Sequence, residues 1–90
     1  MPVTVHIPTM LRAECGGIAD FPIEAVTVAD ALKYIEQSQP ALYRCVCYEN
    51  GAVRQHVNLF VNTSFVGHGD LDRPLEPGDN LFIMPAVSGG

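Results

Sequence analysis

Apolar and polar residues alternate at the start of the chain, where Val3, Val5 and Ile7 are separated by Thr4 and His6. A period of two marks a half-buried strand, so the chain opens on a strand that Pro8 ends. Residues 9–17 then read as a loop closing on Gly16-Gly17. A second alternation sets Phe21, Ile23 and Ala25 against Asp20, Pro22 and Glu24 and predicts another strand. Pro22 has no N–H for a ladder, which places this strand at a sheet edge or puts a bulge in it. The period then lengthens. Val28, Ala31, Leu32 and Ile35 form one apolar stripe at helical spacing, with Lys33, Glu36 and Gln37 off it. Thr27, with Asp30 after it, resembles a capping box, and Pro40 reads as a stop, so a helix is predicted over about residues 28–38.

Beyond Pro40, the apolar run from Leu42 to Tyr48 fits either a short strand or a packed loop. Asn50-Gly51 signals a turn. Residues His56 to Asn62 form a strand with Val57, Leu59 and Val61 on one face, and Phe65-Val66 is long enough for a short strand. Pro77-Gly78 fits a type II turn. Leu81 to Met84 is the last strand, Pro85 ends regular structure, and Ala86-Val87-Ser88-Gly89-Gly90 follows as a tail. One helix covers one face of a sheet and leaves the other to solvent or a partner. The expected architecture is α+β, a β-grasp roll: a mixed sheet with one main helix packed on one face. The expected division is a domain over residues 1–85 and a flexible tail over 86–90. Phe60 and Phe82 fall out of phase with the core positions and are candidates for an apolar docking patch on the face opposite the helix.

Length and charge narrow the function. Ninety residues make one domain, with room for a modest core and little for a deep active site. With 48% hydrophobic and 17% charged residues, the composition is globular. The net charge of -5 comes from ten acids and five scattered bases, so no clustered cation surface exists for nucleic acid. An acidic surface suits a partner with a basic docking face. No membrane span and no secretory signal are seen, and the three cysteines, Cys15, Cys45 and Cys47, are expected to be reduced thiols in a cytoplasmic protein. A zinc site built from those cysteines and His56 would need ligands from distant segments, so no metal is expected. His6, His56 and His68 are expected to be strand-face or surface histidines, and Gly67-His-Gly-Asp70 a turn.

The end of the chain carries the strongest candidate chemistry. A strand leads into small residues and then Gly89-Gly90, and a glycine end can thread a narrow channel with its backbone against a catalytic surface. The full chain resembles the ubiquitin-like sulfur carriers of the ThiS and MoaD group, most nearly the CysO-type branch. The resemblance rests on Val3-Thr-Val-His-Ile-Pro-Thr-Met-Leu-Arg12 with Gly16-Gly17 after it, and on Ile83-Met-Pro-Ala-Val-Ser-Gly-Gly90. It implies a protein cosubstrate rather than an enzyme. An E1-like adenylating partner would activate the Gly90 carboxylate with ATP, and sulfur would displace AMP to give a thiocarboxylate. A downstream synthase would then accept the sulfur, for cysteine or a sulfur-containing metabolite. Gly90 would bear the atom, Gly89 give access, and Val87 and Ser88 enter the partner's site, with Ser88 standing where small residues such as Ala are common. No bound cofactor is implied, and the absence of a G-x-x-x-x-G-K-[ST] motif points to a partner for the ATP chemistry. Two other roles within the same resemblance are the small subunit of a molybdopterin synthase and a modifier joined to lysine.

Overall fold

The computed structural model describes residues 2–13, 17 and 19–85, without the side chain of Met10. The first alternation forms β1 (Val3–His6), and α1 (Thr9–Arg12) follows it, a single turn where the sequence predicted a loop. Arg12 explains the turn: its Nε donates to the Ile7 carbonyl at 3.0 Å and draws the segment back onto the strand. The edge strand β2 (Asp20–Ile23) returns antiparallel to β1, with Pro22 opposite Thr4. The main helix α2 (Val28–Ser38) buries the predicted stripe of Val28, Ala31, Leu32 and Ile35. Thr27 Oγ1 accepts the Asp30 N–H at 3.0 Å, and Asp30 Oδ2 accepts the N–H of Val26, one residue earlier than in a standard capping box.

α2 ends just before Pro40, as expected, but Pro40 also opens a further helix. It occupies the first turn of α3 (Pro40–Val46), where its missing N–H costs nothing. Leu42 and Val46, four residues apart, are the buried contacts of this helix. The strand-or-loop expectation for Leu42 to Tyr48 is therefore corrected to a second helix beside the first. Strands β3 (Val57–Val61), β4 (Ser64–Val66) and β5 (Asn80–Pro85) complete the sheet. The turn before β5 closes through Asp79 N–H to the Glu76 carbonyl at 3.0 Å, and Gly78 supplies the φ of 87° that a type II turn requires.

The five strands lie in the order β2-β1-β5-β3-β4. β5 is central, parallel to β1 and antiparallel to β3. The α2 stripe packs with Val5, Leu59, Leu81 and Ile83 in one apolar core, and each of those side chains is fully buried. Burying one such side chain contributes about 1.5–3 kcal/mol. No buried polar side-chain atom lacks a partner among the described residues. This is the expected α+β roll, with α3 added. β5 is described as far as Pro85, and the expected tail over 86–90 lies outside the described residues.

Candidate functional site

The strands that build the core with alternate residues turn the others to the opposite face. Register aligns one residue from each strand into a row across that face. Asp20 of β2 stands opposite His6 of β1, His6 opposite Phe82 of β5, Phe82 opposite Phe60 of β3, and Phe60 opposite Phe65 of β4. The row therefore grades from a carboxylate, through an imidazole, to three aromatic rings. His6 and Phe82 stack with centroids 4.5 Å apart and planes 16° from parallel. Phe60 and Phe65 meet edge to face at 5.7 Å.

Phe60 and Phe82, flagged from the sequence, are thus cross-strand neighbours on the open face. With Asn62 and Met84 they line a shallow depression of about 260 Å³. Phe65 is 56% exposed and Met84 41% exposed, high values for apolar side chains in a sheet. Sequence reasoning missed Phe65, Met84 and His6 as members of this face. Alternation put each out of phase with the core, but only the strand order shows that they converge. Polar side chains flank the row: Asn80 and Asn62 stand beside it, with Asn80 Nδ2 3.4 Å from Asn62 Oδ1. Val87, Ser88, Gly89 and Gly90, the other predicted site residues, lie outside the described residues.

The remaining candidates resolve differently. Cys45 is disulfide-bonded, so the expectation of reduced thiols throughout does not hold. Cys47 caps α3 instead of lying on a strand beside Cys45, and it is buried and free. Burial pushes its thiol above the ordinary range, against the lowering effect of its hydrogen bond with Tyr43. A thiol held protonated is a poor nucleophile and a poor metal ligand. Among the described residues, no group of three or more His, Cys, Asp or Glu side chains is placed to hold a metal ion. His68 is taken up in structure, its Nε2 lying 2.8 Å from the Val57 carbonyl. The N-terminus of α2 is closed to an anion. The N–H groups of Val28 and Ala29 donate to the carbonyls of Arg73 and Leu71, and that of Asp30 to Thr27. No helix among the described residues is long and apolar enough to cross a membrane.

Known proteins share this architecture and part of the sequence. A family model described as the ThiS family matches residues 11–90. The sulfur carrier protein CysO of Mycobacterium tuberculosis is 31% identical over 93 residues, covering 100% of both chains. A chain in the crystal structure of the Amycolatopsis orientalis BexX/CysO complex superposes with a TM-score of 0.81 at 32% identity, over 98% of this chain and 99% of that one. SAMP1 of Haloferax volcanii, a small archaeal modifier protein, superposes with a TM-score of 0.80 at 26% identity over the whole of both chains.

Proposed function

The chain belongs to the ThiS family, and from that premise we propose that it is a sulfur carrier whose Gly90 carboxylate is activated by an adenylating partner. The observation that carries this reading is the placement of β5. One central strand bears Phe82 on the open face and runs directly into residues 86–90. A partner that grips the aromatic row therefore grips the strand that delivers the carboxylate. The five residues after Pro85 span at most about 17 Å, which sets how far the activating site lies from the end of the sheet.

A carboxylate is a poor electrophile. Its attack on the α-phosphorus of ATP expels pyrophosphate and gives a mixed anhydride with a good leaving group. Hydrosulfide then attacks the carbonyl carbon and AMP departs. The product thiocarboxylate is an anionic, soft nucleophile able to pass its sulfur to an activated substrate of a downstream synthase. The carrier supplies the carboxylate, a narrow glycine approach and a docking face. ATP binding and catalysis belong to the partner, and the acidic carrier of net charge -5 suits a basic surface around that partner's active site. The identity to CysO supports cysteine, or a sulfur-containing metabolite, as the destination of the sulfur.

Incubation with ATP, sulfide and the adenylating enzyme of the same organism should raise the intact mass by the exchange of one oxygen for sulfur. Deleting Gly90 should abolish the gain. A truncated chain that is still charged would sink the reading. The similarity to SAMP1 supports a second reading, a modifier joined through Gly90 to lysine amines. A ladder of larger covalent products, in place of a thiocarboxylate, would favour it.

A further inference from the structure

His6 is polar, yet it stands directly beside Phe82 in the aromatic row. Both of its ring nitrogens face a partner. Nε2 lies 2.8 Å from Asn80 Oδ1, and Nδ1 lies 3.3 Å from Asp20 Oδ1, an ion-pair contact when the ring is protonated. The proton on Nε2 follows from the network behind Asn80. Asp79 is a carboxylate that only accepts, so the Asn62 atom 3.1 Å from it is the amide nitrogen. The Asn62 oxygen then faces Asn80, where it accepts the backbone N–H at 3.0 Å and the side-chain amide at 3.4 Å. That leaves the Asn80 oxygen for His6, and Nε2 donates to it. A directional chain thus runs from Asp79 through Asn62 and Asn80 to the imidazole. The bond from Nε2 to Asn80, joined by the Asp20 contact when Nδ1 also carries a proton, fixes the plane of the ring, and Phe82 lies against that plane within 16° of parallel.

We propose that His6 is a positioning residue for docking: held by Asn80, and by Asp20 as well when the ring is protonated, it keeps the Phe82 ring in the orientation the adenylating partner receives. The proposal rests on the sulfur-carrier reading above. An unclamped phenylalanine must be ordered at the moment of binding, whereas one already held has lost that freedom on folding. The clamp therefore acts on affinity for the partner and leaves the chemical step alone.

The discriminating variant is His6→Phe, which keeps a ring beside Phe82 but has no nitrogen to hold. Asp20→Ala removes the contact at Nδ1 and touches no aromatic ring. In thiocarboxylate formation with the adenylating enzyme, ATP and sulfide, both variants should raise KM for the carrier roughly 3- to 10-fold with kcat unchanged. In the free carrier, ring spectra should show Nε2 of His6 bearing a proton, and the Phe82 resonances should move toward rotationally averaged positions in both variants. A His6→Phe protein with wild-type KM, or Phe82 resonances indifferent to both changes, overturns the proposal. A wild-type carrier that never gains sulfur overturns the sulfur-carrier reading and the docking role of His6 with it. The ring spectra of the free carrier still decide whether the clamp exists.

Discussion

Asp79 shows how much one surface side chain can organise. Its Oδ2 accepts the Glu76 N–H at 2.9 Å and closes the turn that aims β5, while Oδ1 accepts from Asn62. The bond from the Glu76 backbone, with the Asn62 amide second, holds its carboxyl below the usual range. The folded chain therefore binds this proton less readily than the unfolded one. The resulting stabilisation is complete above the unfolded carboxyl value of about 3.9 and is lost as pH falls through the lower folded value. Asp79→Asn should be less stable than wild type at neutral pH, and the gap should close on acidification. Urea midpoints measured on both proteins across that range check it, and a constant gap would show that the charge is irrelevant. No motif in the sequence marks this role. Asp79 follows Pro77-Gly78 as an ordinary turn acid, and its second partner, Asn62, lies 17 residues back along the chain.

The two longer helices divide what is readable from what is not. The bounds of α2 were legible because a cap, a stripe and a proline agree locally. The Thr27 cap gives a direct test: Thr27→Ala should cost about 1 kcal/mol in chemical denaturation with no change in the fold. α3 was missed because Pro40 carries two local meanings, a stop for one helix and a first-turn residue for the next. The spacing of Leu42 and Val46 was the available signal, but over seven residues it does not exclude a strand. β3 was legible by alternation, and it also separates two functions between neighbours. Leu59 faces the core and Phe60 the open side. Leu59→Ala should lose about 2–5 kcal/mol of stability. Phe60→Ala should cost less stability than Leu59→Ala, while weakening docking by more than about 1 kcal/mol, read as KM in carrier charging.

At the scale of the molecule, the cross-strand row is a product of topology. Its five members span the chain from residue 6 to residue 82, and no local pattern connects them. Phe60 and Phe82 could be named from phase alone. His6 joins them only because the first and last strands pair side by side, a consequence of strand order that periodicity does not encode. The parallel pair β1–β5 also sets the order of events when the chain is made. The middle strand of the sheet is the last to be synthesised, and the contact that clamps His6 links residues 74 apart. Helices α2 and α3 and the β3–β4 hairpin can form on the nascent chain. The sheet cannot close until β5 emerges, and closure over so long a loop is slow. The aromatic row and the strand leading to Gly90 therefore come into being in one step. A ribosome-bound fragment ending before β5 lacks Phe82, so its aromatic row is incomplete, and it lacks residues 86–90 as well.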